Sequence, residues 1–131
     1  MIGLDSNILV RYLTQDDQLQ SPRATAIIEH RLTADNPGFL STVALAETVW
    51  VLERAYGFSD GEIASALEDI LLADVLLVER EHDVFTAMTA LKDGTGSFAD
   101  ALIAAVGTSI GCRHTLTFDR GALRLKGFEP A

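Results

Sequence analysis

Apolar residues along this chain come in short unbroken runs, separated by longer stretches in which they recur every three or four positions. Ile2 to Leu4, Phe39 to Thr42, Val75 to Val78 and Thr115 to Phe118 read as short strands, continuous rather than alternating in polarity. The intervening stretches read as helices. Asp5-Ser6-Asn7 turns the first run into a helix reaching about Leu13. Ser21 as N-cap, with Pro22 at the first helical position, opens a second that runs to about Ala34 and stops before Asn36-Pro37-Gly38. Val43 to Tyr56 is apolar almost all round, which predicts a buried helix closed by Gly57 in the left-handed conformation. Ser59 and Glu62 form a capping-box pattern opening a helix to about Ala73. Another helix runs from about His82 to Lys92 and breaks at Gly94-Thr95-Gly96; Ser97 then caps an Ala-rich helix to about Ile110. A tail around Gly127-Phe128 adds a last strand.

Strands alternating with helices, and apolar along their whole length, predict an α/β fold with a parallel sheet flanked by helices. In such folds sites form at the carboxyl ends of strands. The 131 residues fit one domain, 1–131, with a single core. No repeat or linker interrupts them.

Composition adds little that conflicts. Hydrophobic residues make up 48% of the chain and prolines number three, as in a folded globular protein. The single cysteine, Cys112, excludes an internal disulfide and reads as a small buried apolar residue in a reducing compartment. The start lacks the charged leader of a signal peptide, and no apolar run approaches the ~20 residues of a membrane span, so a cytoplasmic location without membrane contact is expected.

A net charge of -9 argues against nucleic acid as a partner until its distribution is read. Residues 59–93 carry net -7, residues 1–58 net -3 and residues 94–131 net +1. Arg113, Arg120, Arg124 and Lys126 surround Asp119 in sequence, either as a basic rim to a site or as ordinary surface charge.

Four carboxylates stand inside or at the end of apolar runs: Asp5, Glu47, Asp100 and Asp119. An ionised acid in such company must be paired, hydrogen-bonded or metal-bound. Each also has a plainer reading. Asp5 is placed to cap a helix, Asp100 completes the box Ser97-Phe98-Ala99-Asp100, and Asp119 fits a turn. Glu47 has no cap to make, and Arg54 lies about 10 Å further along the helix axis, so its plainer reading is a buried ion pair with an arginine such as Arg11. Taken together, the four suit a divalent metal. Hard oxygen ligands select Mg²⁺ or Mn²⁺ over zinc, since none of the three histidines has zinc-like spacing with another ligand. The matching chemistry is phosphodiester hydrolysis, in which a metal neutralises phosphate charge and activates water.

The residues that carry these acids resemble a known family. Leu4-Asp5-Ser6-Asn7 with Val10-Arg11-Tyr12-Leu13, Ser41-Thr42 ahead of Glu47, Phe98-Ala99-Asp100-Ala101-Leu102-Ile103-Ala104-Ala105, and Thr117-Phe118-Asp119-Arg120 are similar to the PIN-domain ribonucleases, within them the VapC-like toxins of toxin-antitoxin pairs. The resemblance runs nearly end to end. It implies a Rossmann-like three-layer α/β/α sandwich with a central parallel sheet, and endonucleolytic cleavage of RNA with Mg²⁺ or Mn²⁺. Asp5 and Asp100 would be the leading metal ligands, Glu47 and Asp119 would complete the acidic cluster, and Asn7 and Thr117 would support it. Ser6 stands where the family more often has Thr and keeps the hydroxyl. The resemblance also implies a homodimer and a VapB-like antitoxin, with no direct DNA binding by this chain alone. Arg11 and Arg120 are candidate contacts to RNA or antitoxin.

Two other readings stay open at this point. An aspartyl-phosphate hydrolase would use Asp5 as nucleophile, although Asn7 stands where such enzymes usually have a second acid. A non-catalytic interaction module would use the acids only as caps and ion pairs.

Overall fold

The computed structural model describes residues 1–131, which divide into two compact units: residues 1–59 with 69–79, and residues 60–68 with 80–131. The first unit is built on a three-stranded parallel sheet in the order β1-β2-β3, from β1 (Ile2–Gly3), β2 (Gly38–Leu40) and β3 (Leu76–Val78). Ile2 pairs with Gly38, and Gly38 with Leu76. A Cβ on Gly38 would come within 2.7 Å of the Leu4 side chain and 2.8 Å of that of Leu32, so a larger residue there would force both leucine side chains to move.

β1 leads into α1 (Ser6–Thr14) through Asp5, an extended residue whose carboxylate accepts from the Ser6 amide. Gln15, at φ 51, ends that helix with its N–H on the Arg11 carbonyl. α1 packs against α2 (Gln20–Ala26) and α3 (Thr42–Tyr56), burying Leu9 and Val10. Leu9 is 1% exposed, and truncating it to Ala would cost about 2–5 kcal/mol.

The second helix differs from expectation in its start and its end. Ser21 is not its N-cap: it lies buried within the helix and donates its hydroxyl to the Arg11 carbonyl. Asp17 takes the capping role, accepting from the amides of Leu19 and Gln20. The helix then widens into a π-helical turn, Ile27–Arg31, in which the Leu32 amide reaches back five residues to the Ile27 carbonyl, and it ends short of Ala34.

α3 begins at the Ser41 cap and ends at Gly57, whose φ of 65 is the left-handed conformation expected there. It is not buried all round. Ala44, Leu45, Thr48, Val49 and Leu52 form its inner face, whereas Val43 and Trp50 are 73% and 58% exposed. The segment is half-buried despite a nearly uniform apolar composition.

α4 (Asp60–Leu72) contributes residues 60–68 to the second unit and 69–72 to the first. In the second unit α5 (Glu81–Lys92) lies against α6 (Phe98–Ile110). Val84, Ala87, Met88 and Leu91 from α5, with Phe98, Ala101, Leu102 and Ala104 from α6, supply most of its core. β4 (Thr115–Thr117) pairs in parallel with β5 (Phe128–Pro130), Thr115 opposite Phe128. All strand pairings are therefore parallel, as the continuous apolar runs predict, and they fall into one sheet per unit. Cys112, expected to be buried, is exposed, because it follows the Gly111 that terminates α6 at the surface. No helix is long and apolar enough to cross a membrane.

Candidate functional site

In the first unit the Asp5 carboxylate is held from two sides. Oδ1 accepts from the Ser6 amide at 2.9 Å, and Oδ2 accepts from Nδ2 of Asn7 at 3.3 Å. Capping and presentation are thus one act: the bonds that start α1 also fix the carboxylate, which stays exposed at the end of β1. Ser6 is buried, so it serves through its backbone amide. Glu47 is exposed on α3. At helical spacing it lies between Val43 and Trp50, which are also exposed, and Arg54 continues the same face with its guanidinium 5.9 Å from the Trp50 ring. The buried ion pair considered for Glu47 is absent, because the side chain lies on the solvent face of α3 and needs no compensation there.

Two nitrogens of the Arg11 guanidinium are engaged within the unit. Nε donates to Gln20 at 2.8 Å, and Nη1 lies 3.1 Å from Oδ1 of Asp16 and 3.3 Å from the Tyr56 hydroxyl. The hydrogen bond from Tyr56, with those from Thr14 and Arg11, holds the Asp16 carboxyl at about 2, and Asp16 in turn raises the Arg11 pKa above its ordinary value. The network joins α1 to the end of α3.

In the second unit Asp100 lies in the first turn of α6 and is half-buried. The Ser97 hydroxyl accepts from its amide at 3.2 Å, but the Asp100 carboxylate makes no return hydrogen bond, so only one half of the capping box is formed. Its oxygens are left without a protein partner. Asp119 follows β4 and is exposed; its amide donates to Oγ1 of Thr117 at 2.9 Å and its Oδ1 accepts from the Gly121 amide at 2.8 Å. The Thr117 side chain thus sets the backbone that carries Asp119. Arg120 is exposed beside it.

The premise that these acids are costly because they are buried does not hold: three are exposed and one half-buried. What they share is the lack of any cationic partner. None of the ion pairs Arg11–Asp16, Arg80–Asp83 and His114–Glu129 involves Asp5, Glu47, Asp100 or Asp119. Carboxylate oxygens with free lone pairs are the hard donors that Mg²⁺ or Mn²⁺ prefers, so the donor chemistry fits such an ion. Neither unit gathers three or more His, Cys, Asp or Glu side chains into a metal-holding group.

Sequence reading missed Asp83, which is 5% exposed. Its Oδ2 accepts from Nε of Arg80 at 2.9 Å and its Oδ1 from the Ser109 hydroxyl at 2.5 Å. The Arg80-x-x-Asp83 spacing was a readable signal for the ion pair; Ser109, on another helix, was not. Arg113, Arg124 and Lys126, near Asp119 in sequence, line a pocket bounded by α5 and α6.

The family model described as PIN domain matches residues 2–127. No curated protein matches the chain.

Proposed function

The chain belongs to the PIN-domain family, and on that premise we propose that it is a Mg²⁺- or Mn²⁺-dependent endoribonuclease and the toxin of a type II toxin-antitoxin pair. Members of this family are typically nucleases, which supports a hydrolase acting on nucleic acid. The observation that carries the finer reading is the freedom of the four acids: each lies in a segment of family-like sequence, and none is neutralised by a cation of its own chain. Structural carboxylates are commonly consumed by caps or ion pairs. Asp100 and Glu47 are consumed by neither.

In this reading Asp5, Glu47, Asp100 and Asp119 hold the metal. When bound, the ion supplies neutralisation of phosphate charge and activation of the attacking water. The chain's own contribution is orientation. Asn7 and the Ser6 amide fix both oxygens of Asp5, Thr117 and the Gly121 amide fix Asp119, and the Ser97 cap sets the first turn that presents Asp100. A VapB-like antitoxin would silence the enzyme, a homodimer would be its working form, and operator DNA binding would fall to the antitoxin. Asp5 as a phosphoryl acceptor is disfavoured, because the residue two places on, Asn7, donates an amide to it instead of offering a second acid.

The deciding experiment is cleavage of total bacterial RNA by purified protein with Mg²⁺ or Mn²⁺, with chelator, and with Asp5→Asn. Discrete products requiring both metal and Asp5 establish the activity. Folded protein that cuts nothing in any lane rejects it in favour of a binding module.

A further inference from the structure

The second unit contains a pocket of about 810 Å³ bounded by α5, α6 and the segment 124–127. Its floor is small and apolar, from Ala101, Ala104 and Ala105 of α6 and from Leu125. Its charge is strongly uneven. Arg113, Arg124 and Lys126 line it, all exposed and none in an ion pair. Two acids also line it. Asp83 is buried and already answered by Arg80 and Ser109, which leaves only Asp93 to oppose an incoming anion. On a chain of net charge -9, this is a local excess of positive charge.

The hydroxyl groups narrow the choice of ligand. Thr86, Thr89 and Thr95 each donate to a backbone carbonyl, of His82, Phe85 and Ala90 respectively. Their oxygens therefore face the pocket as acceptors. Acceptors repel a second carboxylate but take a hydrogen bond from a ribose hydroxyl. Arginine suits phosphate, because its planar fork can meet two oxygens at once. His82 is the one aromatic ring in the lining and no Phe, Tyr or Trp joins it, so the pocket offers little surface for stacking bases.

We propose that this pocket binds the sugar-phosphate backbone of single-stranded RNA, with Arg113, Arg124 and Lys126 on phosphates and the α5 threonines on ribose hydroxyls. The proposal deepens the ribonuclease reading and rests on it. α6 forms one wall and carries Asp100 in its first turn; Thr108, which also lines the pocket, lies about 12 Å further along the helix axis. A strand in the pocket therefore runs along the helix that presents Asp100, and is held there without regard to base sequence.

The test is fluorescence anisotropy of a labelled 12-nucleotide RNA in chelator, which separates binding from cleavage. Wild type is compared with Arg113→Ala, Arg124→Ala and Lys126→Ala across a salt series. Each variant should weaken binding roughly three- to tenfold and flatten the slope of log affinity against log salt by about 0.7, whatever the RNA sequence. Arg113→Lys should keep the wild-type slope, which guards against a folding artefact. DNA of the same sequence should bind more weakly, lacking the 2′-hydroxyls. Unchanged affinity and slope in all three alanine variants overturns the proposal while leaving the nuclease reading intact. Wild-type protein that binds no RNA, that takes an acidic peptide through these residues instead, or whose RNA is displaced fully by adenosine monophosphate overturns it as well. Pocket-dependent RNA binding by a protein that cleaves nothing supports the pocket and rejects the nuclease reading alone.

Discussion

The Tyr56 hydroxyl donates a 2.6 Å hydrogen bond to Oδ2 of Asp16, tying the last turn of α3 to the loop after α1. With help from Thr14 and Arg11, this bond holds the Asp16 carboxyl at about 2, below the ordinary 3.8. A group depressed in the folded state stabilises the fold fully above its unfolded pKa and loses that contribution as pH falls through the folded one. Tyr56→Phe should therefore lower Tm by roughly 2–4 °C near neutrality. The gap to wild type should close between about pH 4 and pH 2. Thermal melts of both proteins over that range check it; a gap that stays constant down to pH 2 would show that the bond does not set the carboxyl.

Asp5→Asn should separate activity from folding cleanly. Asn caps a helix about as well as Asp, so the bond from the Ser6 amide survives while the negative charge is lost. Asp100→Asn is gentler still, since the carboxylate makes no hydrogen bond within the protein. Groups that merely orient metal ligands are worth 10–100-fold, so losing a ligand should cut RNA cleavage by more than about 100-fold. Tm should stay within about 2 °C of wild type, or rise. Normal turnover by either variant would remove that residue from the machinery.

Local chemistry was legible in the sequence and burial was not. Ser97 caps its helix where the sequence places it, and Gly57 ends α3, because a cap needs only neighbouring backbone; Ser41, read as part of a strand, caps α3 instead. Ser21 misled because Ser-Pro is a good N-terminal signal, yet Asp17 accepts from the earlier amides of Leu19 and Gln20 and so moves the start of the helix forward. α3 was misread because Val43 and Trp50 are apolar but face outward, and composition cannot say which apolar side chains find a neighbour. The same limit applies to the candidate site. Asp5, Glu47, Asp100 and Asp119 stood out by context, but their lack of cationic partners, the half-formed capping box at Asp100 and the pocket lined by Arg113, Arg124 and Lys126 all depend on tertiary placement.

Glu47→Gln discriminates between a metal ligand and a structural acid. The side chain is exposed, so neutralising it strands no buried partner, and stability should change by no more than about 0.5 kcal/mol. Metal-dependent cleavage should fall sharply all the same. Circular-dichroism melting read beside an RNA cleavage assay gives both quantities; unfolding of the variant would mean that Glu47 supports the fold through a contact the structure does not contain.

Ser109→Ala should be more damaging to the fold than any of the exposed acids, although it lies on the outer end of α6. Its hydroxyl satisfies one oxygen of a carboxylate that is 5% exposed, and Arg80 reaches only the other. Removing the donor leaves a charged acceptor short of a partner away from water, a loss of about 1–2 kcal/mol. Ser109→Thr keeps the hydroxyl and should recover most of it. Urea unfolding of the two variants measures the difference. Equal loss in both would point to packing at the end of α6 as the cause, and no loss in either would mean that water replaces the bond without cost.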